Sequence, residues 1–279
     1  MWQVGDLKIT KIVEVETIGH TRFILPQATR EAVQEIGWLY PHFADENGRL
    51  KLSIHALVVE TPTRRIVVDT GLGNDKRDRD IPSWNLRNGT FLNDLEAAGY
   101  PPESIDTVLS THLHVDHVGW NTKLVDGRWV PTFPNARYLM PRSEFEYWRD
   151  LRGSKAQVAV FEDSVRPVFD AGKVDLVPSD YRVSPEMNLI PTPGHSPGHV
   201  SVELRSRGEQ GLLTGDVLHH PCQMAHLDWA SVVDFDPAQS TRTRQELFSR
   251  IAGTDTLVIG AHFAAGRVVR NGAAFRLEV

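Results

Sequence analysis

One cysteine among 279 residues rules out an internal disulfide, and Cys222 fits a reducing compartment. No apolar run reaches the roughly 18 residues that a membrane-spanning helix needs. There is no basic excess either. The net charge is −6, with acids and bases interspersed, which argues against nucleic acid or an anionic membrane surface as a partner. The start, Met1-Trp2-Gln3-Val4-Gly5-Asp6, lacks the basic-then-apolar order of a secretory signal, so the cytoplasm is the expected compartment. No low-complexity segment, short repeat or linker interrupts the chain, and one domain over 1–279 is expected. At 41% hydrophobic and 24% charged residues it can bury a substantial α/β core. Histidine, by contrast, is plentiful at twelve, and five of these fall in 195–226.

The densest stretch is 111–120, Thr-His-Leu-His-Val-Asp-His-Val-Gly-Trp, with His112, His114, Asp116 and His117 inside six positions. Before it, 105–110 reads as a short buried strand, β-branched and bounded by Pro101-Pro102. A strand end holds a loop rigidly, which suits ligands. In extended chain i and i+2 point the same way, so His112 and His114 can share one ion. Asp116 and His117 follow the turn and can face a second. A histidine-rich surface loop is the bland alternative; the tight spacing and apolar flanks weigh against it. Imidazoles with a carboxylate suit zinc and its first-row neighbours.

The remaining chain alternates strands and helices. A strand is expected at 7–15. The segment 16–50 is loop-rich and carries Phe23, Trp38, Tyr40 and Phe43; it either covers the core or serves the pocket or a dimer contact. Residues 53–60 and 65–69 read as a hairpin running into Asp69, which either braces a neighbouring loop or merely forms a turn. A helix is expected at 91–98 with Gly99 as its stop, then a hairpin turning at Asp126-Gly127 and a strand at 136–140. Ser143-Glu144-Phe145-Glu146 reads as a capping box opening a helix to about 151, followed by a helix at 155–165. Strands follow at 174–177 and 188–190. Pro191-Thr192-Pro193-Gly194 then stiffens a turn that presents His195 as a ligand, while His199 reads as a supporting or structural residue. The apolar strand 211–215 ends in Asp216, whose two oxygens can bridge two ions. His219, His220, His226 and Trp229 lie on an ordered loop. Asp236-Pro237 caps a helix to about 252. Strand 256–260 leads to His262, and short strands at 267–270 and 274–278 close the chain.

The ordered set His112, His114, Asp116, His117, His195, Asp216 and His262 resembles the metallo-β-lactamase superfamily of binuclear hydrolases. Gly194-His195-Ser196-Pro197-Gly198-His199 looks like the lactonase and organophosphate-hydrolase branches. Gly215-Asp216-Val217-Leu218-His219 is similar to the methyl parathion hydrolase-like group. The resemblance implies an α/β fold, a four-layer αββα sandwich, and two divalent metal ions. Zinc is the first expectation; manganese, iron and cobalt also suit the ligands. It further implies that His112, His114 and His195 hold one metal, that Asp116, His117 and His262 hold the other, and that Asp216 bridges them. One departure stands out. Acyl-homoserine lactone lactonases of this superfamily carry a tyrosine three residues after the bridging aspartate, where this chain has His219.

Two ions that share a water lower its pKa, so a bridging hydroxide can attack at neutral pH while one ion polarises the substrate oxygen. The expected function is hydrolysis of lactones or carboxylic esters. Asp116 or the metal-bound water is the expected proton carrier, and His219 is either a donor to the oxyanion or leaving group or a loop residue without a role. The alternatives are a phosphotriester hydrolase of the methyl parathion type and a non-catalytic metal-binding protein on the same scaffold. The expected partner is a small lactone or ester, with a homodimer as the expected assembly. Trp84, Trp120 and Trp229 are either ordinary packing or pocket wall.

Overall fold

Parallel strands covered on both faces need unbroken apolar runs. Ile66-Val67-Val68 and Val108-Leu109 are such runs, and so are Leu212-Leu213 and Val258-Ile259. A computed structural model describes residues 1–19 and 23–279. It divides into two compact units, Met1–Glu14 with Ile54–Pro178, and Val15–Ser53 with Ser179–Val279.

The strands of the first half of the chain are β1 (Trp2–Val4), β2 (Leu7–Ile18), β3 (Lys51–Glu60), β4 (Arg65–Val68), β5 (Thr107–Leu109), β6 (Thr122–Val125), β7 (Arg128–Pro131), β8 (Arg137–Pro141) and β9 (Val174–Val177). Seven of them form one sheet in the order β1-β2-β3-β4-β5-β8-β9, and β6 pairs with β7 as a separate hairpin. β3 and β4 are the expected hairpin, antiparallel with Leu57 opposite Val68. From β4 onward the sheet is parallel, with Ile66 beside Thr107 and Thr107 beside Arg137. The apolar faces of β3, β4, β5 and β8 meet the helices Phe91–Ala97 and Arg142–Asp150 in one buried cluster that includes Val67, Val108, Tyr138, Phe91, Phe145 and Trp148.

The second unit carries β10 (Arg182–Ser184), β11 (Met187–Pro191), β12 (Val200–Ser206), β13 (Glu209–Leu213), β14 (Leu257–Ile259), β15 (Gly266–Asn271) and β16 (Ala274–Glu278), hydrogen-bonded in sequence order. All pairs are antiparallel except β13 with β14, where Leu212 lies beside Val258. The helix Pro237–Ile251 crosses over between them and buries Leu247, Phe248 and Ile251. Asp236 caps it by accepting from the Gln239 amide, as expected.

Several expectations change. The segment 16–50 is mainly core cover: Leu25, Ala28, Val33, Ile36, Leu39, Phe43 and Leu50 all enter the second unit's core, and β2 extends through Ile18. Residues 20–22 of that segment lie outside the described residues. The capping box at Ser143 does not form. The helix begins at Arg142 with Pro141 as its N-cap, so Ser143 already lies inside the first turn, and Glu144 points inward, accepting from the Leu113 amide at 3.2 Å and the Trp148 indole at 2.6 Å. A capping box forms instead at Ser154 with Gln157. The helix that it opens does not stop at 165: a π turn, Phe161–Val165, carries it into Arg166–Asp170. β10 was not legible beforehand.

Candidate metal centre

In each unit the chemistry-bearing loops leave the carboxyl ends of an adjacent parallel pair, the place where open α/β sheets carry their sites. β4 and β5 deliver Asp69 and the 111–117 loop. β13 and β14 deliver Asp216 and His262.

In the first unit Asp69 is the brace rather than a plain turn former. Its Oδ1 accepts from the Thr111 amide at 2.8 Å, and its Oδ2 from the Thr111 hydroxyl at 2.8 Å and His117 Nδ1 at 2.9 Å. With its proton given to Asp69, the Thr111 hydroxyl accepts from His112 Nδ1 at 3.1 Å. These partners assign the single proton of neutral His112 and His117 to Nδ1 and leave both Nε2 atoms as lone pairs. His112 Nε2 lies 3.1 Å from His114 Nδ1, and His117 Nε2 lies 3.7 Å from Asp116 Oδ1. Two nitrogens bound to one tetrahedral zinc stand about 3.3 Å apart, so the His112–His114 spacing suits a shared ion. The loop is clamped where Gly119 crosses Leu72. A Cβ at Gly119 would come within 1.9 Å of the Leu72 carbonyl carbon, so only glycine allows this approach.

In the second unit Asp216 is the hub. His262 Nε2 is 3.0 Å from its Oδ1, and His195 Nε2 and His219 Nε2 are 3.5 and 3.3 Å from its Oδ2. His195 gives its Nδ1 proton to Asp234 at 2.9 Å, and His262 gives its own to the Ser53 carbonyl at 3.0 Å. With both imidazoles in the neutral form, their Nε2 lone pairs face carboxylate oxygens, acceptor against acceptor. A cation between them removes that repulsion, and buried imidazole and carboxylate donors suit a divalent first-row ion. The residues present thus fit the metals that the sequence implies. His199 accepts from the Asp216 amide at 2.8 Å and contacts the Thr192 carbonyl through Nδ1 at 3.0 Å, the supporting role read from its position.

His219 differs from the other rings. By distance alone His195, Asp216 and His219 could hold an ion. Burial pushes the His219 imidazole down to about 3, so it is neutral, and its buried Nδ1 has no hydrogen-bond partner. An orphaned N–H costs more than an orphaned lone pair, which places the proton on Nε2, aimed at Asp216. His219 therefore presents a donor, as a residue acting on an oxyanion must. Gln223 fixes its backbone, accepting from the His219 amide at 2.7 Å.

Asp234, Glu144, Gln223 and the Ser53 carbonyl were not found from sequence. A lone acid, amide or carbonyl carries no spacing signal until the fold sets it beside a histidine. Trp120 belongs to the first unit's core, stacked on Phe91 at 5.5 Å with its indole N–H on Glu14 at 3.0 Å. Trp229 stacks on His226 at 4.2 Å.

Comparison with known proteins agrees with this chemistry. Residues 50–262 match the family described as Metallo-beta-lactamase superfamily. An N-acyl homoserine lactonase of Bacillus thuringiensis is 27% identical over 179 residues, 59% of this chain, and the chain spans 63% of that relative's length. The lactonase AttM of Rhizobium radiobacter is 30% identical over 125 residues, 44% of either chain. Among solved structures, the hydrolase AbOPH of the beta lactamase superfamily superposes with a TM-score of 0.80 at 25% identity, over 100% of this chain and 96% of its own. AidC, a dizinc quorum-quenching lactonase with a bound product, superposes at 0.76 and 20% identity, over 99% and 95%.

Proposed function

The chain belongs to the metallo-beta-lactamase superfamily and has its mixed α/β fold, and from that premise we propose that it is a metal-dependent hydrolase that opens lactones. The observation that carries the proposal is the acceptor-against-acceptor arrangement around Asp216, which calls for a cation. The substrate class follows the lactonases among its relatives.

We infer that His112, His114 and His195 would hold one ion and that Asp116, His117 and His262 would hold the other, with Asp216 as the carboxylate available to both. When bound, the ions supply an acidified water and an electrophile for the carbonyl oxygen. The chain's own residues do the rest. Water oxygen bonds to the lactone carbonyl carbon, and the ring C–O bond breaks. Asp116, on the rim of its loop, takes the water proton and returns it to the leaving alkoxide. His219 turns its Nε2–H from Asp216 to the oxyanion, in place of a phenol. Zinc as the ion, the cytoplasm as the compartment and a homodimer as the assembly complete this reading.

The test is a hydrolysis panel on metal-loaded protein with acyl lactones of varied tail, aryl esters, an aryl phosphotriester and a chromogenic β-lactam. Preferred turnover of the lactones supports the proposal. Turnover confined to the phosphotriester replaces it with the organophosphate reading, and no turnover with both ions bound leaves a metal-binding protein. His112→Ala is expected to lose an ion and all hydrolysis together; an active metal-free variant sinks the mechanism.

A further inference from the structure

Arg244 sits on the helix Pro237–Ile251 and is the largest fully buried side chain among the described residues. A guanidinium has five N–H donors, and each one here meets a neutral oxygen. Nε donates to the Leu227 carbonyl at 3.1 Å. Nη2 donates to the same carbonyl at 3.0 Å and to the Thr241 hydroxyl at 3.3 Å. Nη1 donates to the Val217 carbonyl at 3.2 Å and the Ser240 hydroxyl at 3.0 Å. Neutral acceptors satisfy the fork but do not cancel its charge. The compensating charge is Asp234, whose Oδ2 lies 3.8 Å from Nη1 with neither side chain exposed. Asp234 accepts on that same oxygen from the Ser231 amide at 3.1 Å and on Oδ1 from His195 Nδ1 at 2.9 Å. A line of contacts thus runs from His195 through Asp234 to Arg244. The two carbonyls that Arg244 grips bracket the loop bearing His219, and Val217 directly follows Asp216.

We propose that Arg244 is a positioning residue for the metal half-set of this unit. It balances and orients Asp234, which keeps the His195 proton on Nδ1 and Nε2 open to an ion, and the same fork holds the loop of Asp216 and His219. A packing role alone does not account for the choice of residues. Apolar replacement of a buried ion pair is commonly neutral or stabilising once both charges go. A packing role predicts that a folded variant lacking Arg244 but keeping Asp234 binds metal as before, whereas a positioning role predicts weaker binding.

This inference rests on the reading of His195 as a ligand, so its test needs one measurement without metal. The variants are Arg244→Met, which leaves Asp234 beside His195 without its counter-charge, and Arg244→Lys, which keeps a charge and loses the fork should the first variant fail to fold. Chelator competition is expected to show one zinc held roughly 10–100-fold more weakly and the other little changed. Nitrogen-resolved imidazole spectra of the metal-free protein are expected to show His195 passing from a single Nδ1–H tautomer to a mixture. Folded variants with an unshifted His195 tautomer and wild-type zinc affinity overturn the proposal. If the wild-type chain binds no zinc, the ligand reading fails, and the tautomer spectrum alone decides the role of Arg244.

Discussion

His219 and His220 are adjacent and both buried, yet their rings are held in different ways. His220 donates from Nε2 to the Phe43 carbonyl at 2.9 Å and accepts from the Cys222 amide at 3.1 Å, so both nitrogens are committed to the neutral form. Burial pushes it from the ordinary 6.5 down to about 4. Between pH 6.5 and 4 an unfolded chain takes up a proton that the folded one refuses. Stability is therefore lost as pH falls through that window, by about 3 kcal/mol at its lower end. Urea unfolding of metal-free protein at pH 7.5 and 4.5 should show this loss, and His220→Gln should flatten it; parallel profiles would refute the assignment. For His219 the expectation concerns rate. His219→Ala should keep both ions and a similar KM while kcat falls about 10²–10³-fold, the usual cost of an oxyanion donor. Loss of an ion on this substitution would make His219 a ligand instead.

At the scale of elements, the ligands depend on turns as much as on strands. Gly194 has φ +132°, and a Cβ there would come within 2.4 Å of the Ser240 amide on the helix Pro237–Ile251. Gly194→Ala must move either that helix or His195. The expected result is a loss of about 1–3 kcal/mol from the strained backbone, together with weaker metal binding by chelator competition. Unchanged affinity would show that the turn tolerates the shift. Glu144 plays the matching part in the first unit, joining the helix Arg142–Asp150 to the 111–117 loop through the Leu113 amide. Glu144→Ala orphans that amide and the Trp148 indole, at about 1–3 kcal/mol for each buried group. Glu144→Gln, which retains an acceptor, should recover much of this in thermal melts. Here the local reading failed. Ser143 with Glu146 reads as the box in sequence, but the helix starts earlier, at Arg142, and its packing against the 111–117 loop takes Glu144 inward.

At the scale of the molecule, each unit has its own apolar core and carries its own share of the proposed ligands. Ions that bind the native chain and not the unfolded one should stabilise it by mass action. Ions at 1,000 times their Kd would add about 4 kcal/mol. Calorimetry with and without a chelator should show a lower Tm for the stripped protein, and coincident melts would count against bound metal. Among the described residues no helix is long and apolar enough to cross a membrane.

The sequence by itself determined which side chains are candidates for the chemistry and in what order they come, because strand ends, turn residues and the His-x-His-x-Asp-His spacing are properties of neighbouring residues. The same local signals placed the hairpin β3–β4 and the Asp236 cap. Only the tertiary structure decided where each histidine proton resides. The partners that settle it are Asp69 for His117, Asp234 for His195 and Ser53 for His262, at 48, 39 and 209 positions' distance along the chain. A ring nitrogen becomes a donor or a lone pair according to the atom it meets, and no local periodicity encodes a contact between residues so far apart.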